Sequence, residues 1–266
     1  SRIFVGDFLG AAYSIVQTSD GGYAMLNSES VGGGNSSLTI VRLNNMGLLL
    51  WSKKISGWTY GRSIKQTSDR GFIVAGATGE PFDMFLVKLD SNGTLQWAKT
   101  VGGPDDDFAY SVVQTTNGGY AVAGYTYSFG NAEKMYIAKL DSNGALQWTK
   151  VMAVNSGHAY SIVQTIDGGY AVGGYNGGGP SGMLIAKLNP DGLLQWSRVV
   201  YGGIGQTYAR SIIQTTDGSY AAAGFGGILG AWGMMIVKLD NNGNTCGNTV
   251  SHSISVESGG ILNNHI

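Results

Sequence analysis

Charge, cysteine and histidine are scarce in this chain, and each shortage removes a class of function. Charged residues make up 12% of the 266 and the net charge is −1; that share is about half the usual one. No face of such a chain attracts polyanions strongly, so neither nucleic acid nor an acidic membrane surface is an expected partner. Cys246 is the one cysteine, so no internal disulfide forms. The three histidines, His158, His252 and His265, stand in neither zinc-ligand nor triad spacing. No phosphate-cradling motif occurs, and no cofactor or metal is expected. No apolar run reaches membrane-spanning length, no helical periodicity is present, and no secretory leader is visible. Ser1 opens inside a predicted strand, which points to a leader removed before it.

What is abundant is glycine, with 44 residues, beside 11% aromatics. Glycine with aromatic and β-branched residues reads as many tight turns between short strands. The stretch Ser14-Ile15-Val16-Gln17-Thr18 returns at Ser63–Thr67, Ser111–Thr115, Ser161–Thr165 and Ser211–Thr215. The serines are 49, 48, 50 and 50 residues apart, so one supersecondary unit is copied five times.

One copy shows the unit. Residues 111–115, 120–125, 135–140 and 146–151 are β-branched or apolar runs. Turns at Thr116-Asn117-Gly118-Gly119 and Asp141-Ser142-Asn143-Gly144 and a loop from Thr126 to Lys134 separate them. This is a four-stranded antiparallel meander. The runs are nearly continuously apolar, as in a sheet covered on both faces. The expected fold is all-β, a five-bladed β-propeller of four-stranded antiparallel blades. Ser1–Gly6 matches Ser197–Gly202, the strand before the fifth repeat, and no Leu-Gln-Trp strand follows Asn244-Thr245-Cys246-Gly247. The N-terminal strand is therefore expected to complete the last blade and close the ring, removing exposed edges. Residues 1–246 are expected to form this single propeller, with 247–266 a tail outside the repeats.

The recurring side chains carry two readings each. Trp51, Trp97, Trp148 and Trp196 are sugar platforms or packing between blades, and their presence in every intact copy favours packing. Arg42, Lys88, Lys139, Lys187 and Lys238 are an anion ring or local ion pairs, and pairing is preferred. Gln17, Gln66, Gln114, Gln164 and Gln214 line a channel or bond between blades, and the structural role is preferred. Asp90–Gly93 and Asp141–Gly144 resemble calcium loops but lack the spaced acids, so they read as hairpin turns. Asp105-Asp106-Asp107 is expected to be a solvated loop.

The tight turns fall on one face and the variable connections on the other, where a ligand site is expected. The innermost strands begin there with Tyr13, Arg62, Tyr110, Tyr160 and Arg210, preceded by Tyr60, Phe108, His158 and Tyr208. Trp58 and Trp232 lie in loops outside the repeat pattern. This candidate ligand-binding set either stacks on sugar rings and bonds their hydroxyls or a carboxylate, or it plugs the channel. Paired carboxylates for glycoside hydrolysis are missing from the innermost strands.

The units SVVQTTNGGYAVAGYT (111–126) and KLDSNGALQWTKV (139–151) resemble a repeat of secreted and cell-surface propeller proteins in bacteria and archaea. The resemblance implies an extracellular or cell-surface location more than an activity. Asp141–Trp148 also resembles the Asp-box of sialidases and the tryptophan motif of quinoprotein dehydrogenases, but the spacing departs from both. Three functions remain: a non-catalytic extracellular binding module for a glycan or another surface protein, a structural surface or filament subunit, and a glycoside hydrolase. The alternation of Val250, His252, Ile254 and Val256 with serines reads as a strand. That strand lies along its own blade, stays mobile, or pairs with another copy.

Overall fold

The computed structural model describes residues 10–31, 35–57, 59–153, 155–177, 181–202, 205–228, 231–245, 255–258 and 261–263. It is all-β, with five antiparallel sheets and no helix among the described residues. Two compact units make up the chain, Ser1–Gln114 with Ile261–Ile266 and Thr115–Gly260.

The first unit holds two sheets. One runs β1 (Gly10–Gln17), β2 (Tyr23–Val31), β3 (Asn35–Leu43), β4 (Leu49–Ser56). The other runs β5 (Thr59–Gln66), β6 (Phe72–Thr78), β7 (Asp83–Leu89), β8 (Leu95–Gly102). β9 (Asp107–Gln114) opens the third repeat and ends this unit. The second unit holds β10 (Tyr120–Thr126), β11 (Lys134–Leu140) and β12 (Leu146–Ala153) in order, then a sheet of β13 (Ser156–Gln164), β14 (Tyr170–Gly177), β15 (Gly182–Leu188) and β16 (Leu194–Val200). β17 (Thr207–Gln214), β18 (Tyr220–Ile228) and β19 (Ala231–Leu239) form its last sheet. The middle strands of repeats two to four are almost wholly buried, as in Gly182–Leu188, which is why they read as unbroken apolar runs, whereas β19 leaves Met234 and Ile236 exposed. Leu26, Ile40, Ile64, Phe72 and Phe85 interleave between the first two sheets, and Ile185, Ala209, Ile212 and Tyr220 do the same in the second unit.

Three of the five residues of the repeated stretch make recurring hydrogen bonds. Its serine reaches forward: Ser14 Oγ accepts from Ile64 N at 3.2 Å, and Ser161 Oγ from Ile212 N at 3.2 Å. Its glutamine reaches back: Ser19 N donates to Gln66 Oε1 at 2.8 Å, and Thr116 N to Gln164 Oε1 at 2.8 Å. Its threonine donates to the turn acid, as Thr165 does to Asp167. Three of the four recurring tryptophans pack between sheets as expected. Trp51 meets Phe72 edge-on at 5.7 Å, Trp148 meets Tyr170 at 5.6 Å and Trp196 meets Tyr220 at 5.3 Å. The calcium-like turns are hairpins: Asp141 Oδ1 accepts from Asn143 N and Ala145 N, both at 2.8 Å.

Some expectations change. Trp232 lies on β19, paired with Gly227, rather than in a loop. Asp107 is fully buried rather than solvated, because it opens β9 and accepts from Gly103 N at 2.7 Å, while Asp106 accepts from Phe82 N at 2.8 Å. The tail places β20 (Ser255–Ser258) antiparallel on β12 and β21 (Ile261–Asn263) antiparallel on β8, not along its own blade. Both partners are outer strands whose backbone groups otherwise lack a neighbour. Leu239 bridges to Thr245, so the last sheet turns like its siblings. Ser1–Gly6 and residues 246–254 lie outside the described residues.

Candidate functional site

The innermost strands begin three or four residues earlier than the sequence suggests, and this re-aims the predicted site residues. Pairing shifts register between Ala12 and Ser14, Gly61 and Ser63, Ala159 and Ser161, and Ala209 and Ser211. Tyr13, Arg62, Tyr160 and Arg210 are thus the extra residues of β-bulges, a device that redirects one side chain and is common beside binding sites. The bulge pushes the carbonyl two residues before it onto the partner strand. A Cβ on Gly76 would meet Tyr60 O at 1.9 Å, and one on Gly174 would meet His158 O at 2.0 Å. Glycine avoids that close approach, which accounts for the Ala-Gly and Gly-Gly pairs in the second strands of repeats two to five; the first repeat holds Asn27 at this position.

In the first unit the Arg62 guanidinium lies 4.5 Å from the Tyr13 ring centre and 5.9 Å from that of Tyr110. Separately, Tyr60 meets Phe82 edge-on at 5.5 Å and Phe82 meets Phe108 at a tilt at 5.0 Å. Trp58 lies outside the described residues.

The second unit gathers the larger cluster. Tyr175, Tyr208 and Phe225 stack in series with centres 4.7 and 4.9 Å apart, and Trp232 follows at 5.6 Å, 65% exposed. Arg210 sits over Tyr160 at 4.0 Å, Phe225 at 5.2 Å and Tyr208 at 5.5 Å. Gln206 donates to the Tyr175 hydroxyl at 3.1 Å and accepts from Tyr208. His158 stacks on Tyr125 at 4.2 Å, its Nδ1 is 3.2 Å from the Tyr160 hydroxyl, and its Nε2 is 2.9 Å from Glu133 Oε2. Burial and the Arg210 charge lower the His158 pKa more than Glu133 raises it, so the ring is neutral at pH 7. Burial works to raise Glu133, but hydrogen bonds from Tyr127, His158 and Ser156 win and hold it below its usual range. Burial and the neighbouring Tyr175 raise the Tyr208 hydroxyl, so it stays protonated. Both ring nitrogens of His158 are engaged by protein groups, so this chain of contacts orients the imidazole. Among the described residues no group of three histidines, cysteines or acids gathers to hold a metal ion.

The sequence reading found the bulge residues but missed Tyr125, Tyr175 and Phe225, each following the bulge-facing glycine of its second strand. That recurrent Gly-aromatic pair was the available signal. Phe82 and Glu133 come from non-repeating connections and carry none.

The tight-turn end is built differently. A groove of about 610 Å³ in the first unit is lined by Ser19, Asp20, Arg42, Trp51, Gln66, Arg70, Ser91 and Asn92. A groove of about 460 Å³ in the second is lined by the equivalent Thr116, Asn117, Lys139, Trp148, Gln164, Gly168, Pro190 and Asp191. The recurring cations pair locally here, as expected. Arg42 meets Asp20 at 2.6 Å, Lys88 meets Asp69 at 2.7 Å, and Lys187 and Lys238 meet Asp167 and Asp217 at 2.9 Å each. In the third repeat Asn117 stands where the sibling turns have an aspartate for their cation, so Lys139 shares its groove with an amide. Burial lowers its pKa against the opposing pull of Asp141, and its Nζ donates to Leu140 O at 2.8 Å.

No protein-family model matches the chain, and no curated protein matches it either. Solved structures do. A protein of unknown function from Bacteroides caccae aligns with TM-score 0.54 and 13% identity over 93% of this chain and 86% of that one. An ACO/RPE65 chimera aligns at 0.50 and 13% over 90% of this chain and 61% of its own. A quinoprotein alcohol dehydrogenase-like protein from Bacteroides thetaiotaomicron aligns at 0.41 and 11%, covering 96% and 70%. The likeness is one of fold. The first two neighbours are β-propeller-like, and this chain spans only about three fifths of the chimera. No helix among the described residues is long and apolar enough to cross a membrane.

Proposed function

We propose that the protein is a non-catalytic carbohydrate-binding module of the cell exterior, working through the loop end of its second unit. In this reading the five sheets are blades of one ring, and Ser1–Gly6 supplies the fourth strand of the last. The observation that carries it is the stacked series Tyr175, Tyr208 and Phe225 with Arg210 held against it. Aromatic faces take the apolar face of a sugar ring, and a guanidinium supplies forked donors to its hydroxyls or a carboxylate. Assembly through the tail lacks support because β20 and β21 pair within this chain.

A glycan array tests the reading. Selective binding by the wild type, reduced at least tenfold in Arg210→Ala and Tyr160→Ala with unchanged far-UV circular dichroism, supports it. A blank array with folded protein removes it. Light scattering with and without residues 248–266 checks self-association, and the expected result is a monomer in both.

A further inference from the structure

Arg70 is the one non-glycine residue with positive φ among the described residues, at 64°. It occupies the third position of a turn that four other repeats fill with Gly21, Gly118, Gly168 and Gly218, at φ of 80–81°. The left-handed region crowds Cβ against the following carbonyl, so arginine here costs stability that glycine does not. Strain of this kind persists where a side chain is wanted at that place, and ligand sites are where it gathers. The second repeat gains nothing structural from it. Thr67 N still bonds Gly71 O at 2.9 Å and Arg70 N bonds Thr67 O at 2.9 Å, as in the glycine turns.

What the substitution changes is the groove. Arg70 is exposed, lines the 610 Å³ groove, and pairs with no carboxylate among the described residues. Arg42 and Asp20 neutralise each other at 2.6 Å, so Arg70 leaves the groove with one positive charge in excess. In the sibling groove Gly168 holds its place and Asp191 adds an acid. The first groove also offers the Trp51 indole and, from Ser19, Ser91 and Asn92, three small polar side chains. Its volume is within the range of small-ligand sites.

We propose that this groove is a second binding site, taking the carboxylate of an acidic sugar. The Arg70 guanidinium forks onto the carboxylate, Trp51 lies along the ring, and Ser91 and Asn92 bond its hydroxyls. The site is independent of the Arg210 cluster and uses different residues.

The test is calorimetric titration with sodium glucuronate, and with glucose as the uncharged control, on wild type, Arg70→Gly, Arg70→Asn and Arg210→Ala. Wild type is expected to bind glucuronate at least tenfold better than glucose. Arg70→Gly and Arg70→Asn, both at home in the left-handed region, are expected to lose that preference while melting a few degrees higher. Arg210→Ala is expected to keep it, even if the glycan array is blank. Equal binding of the two sugars, no saturable binding, or glucuronate affinity retained in Arg70→Gly overturns the proposal. A lower melting temperature in Arg70→Gly also overturns it, because Arg70 would then be structural.

Discussion

The two grooves at the tight-turn ends share a frame and differ in charge. In both, a tryptophan walls one side and a glutamine accepts from the backbone of the preceding turn, at 2.8 Å in each. In the first, Asp20 answers Arg42 and Arg70 is surplus; in the second, Asn117 leaves Lys139 without its acid and Asp191 stands at the rim. Frame residues are fixed because each completes a neighbouring sheet's hydrogen bonds or fills its core. Charge positions vary because each touches one turn and solvent.

Breaking the frame should hurt both grooves alike and most severely. A Cβ on Gly22 would meet Leu43 O at 2.3 Å and Arg42 Nη1 at 2.4 Å; one on Gly119 would meet Leu140 O at 2.4 Å and Lys139 Nζ at 2.5 Å. The long side chains can yield, but the carbonyls are backbone. Gly22→Ala and Gly119→Ala should each cost about 3 kcal/mol in urea unfolding. The fifth repeat is the built-in control. Ser219 stands at the same position, and there Lys238 is 62% exposed rather than 4% as in Lys88 and Lys187. Ser219→Ala should therefore be nearly neutral.

Swapping the charges should move the grooves in opposite directions. In Asn117 the oxygen accepts from Thr115 Oγ1 at 2.6 Å and Gly119 N at 3.2 Å, the same bonds that Asp69 Oδ1 makes in its turn. The amide nitrogen therefore takes the place from which Asp69 Oδ2 meets Lys88. Asn117→Asp should gain about 1 kcal/mol by supplying that carboxylate. Asp20→Asn should destabilise the first groove without disturbing its turn. Hydrogen bonds from Thr18, Gly22 and Arg42 hold the Asp20 carboxyl far below its usual range. A carboxyl lowered on folding contributes fully above its unfolded value of about 4 and loses that contribution as pH falls. The difference between wild type and Asp20→Asn should accordingly be widest near neutrality and shrink below about pH 4. Thermal melts from pH 7 to pH 2.5 read this; a difference that grows on acidification rejects the pairing.

The frame was legible in the sequence because five copies repeat it. The strands of the third repeat lie within a few residues of their predicted spans, and Gln66, Trp51 and Lys88 do what their recurrence implied. The bulges were not legible, because an extra residue inside a strand leaves the repeat period unchanged. Asp107 was misjudged for a related reason: three acids in a row read as a solvated loop until one of them opens a strand. At the loop end the repeat marked Tyr160 and Arg210 but not Glu133, which arrives on a connection with no counterpart in other copies.

The glutamines give the finest test of the shared frame. Gln66 and Gln164 each present Oε1 to the preceding turn, and their amide nitrogens reach Arg70 O at 3.4 Å and Gly168 O at 3.2 Å. The N–H groups they satisfy, Ser19 and Thr116, belong to exposed turn residues that water can reach once the side chain is gone. Replacement by alanine should therefore cost only about 0.5–1 kcal/mol at each site, well below a buried orphaned donor. Because these bonds involve no charged side chain, the two costs should agree within error, and each should add to the charge swap in its own groove. Unequal costs, or strong coupling of Gln66→Ala to Asp20→Asn in a double-mutant cycle, would mean that frame and charge are one network.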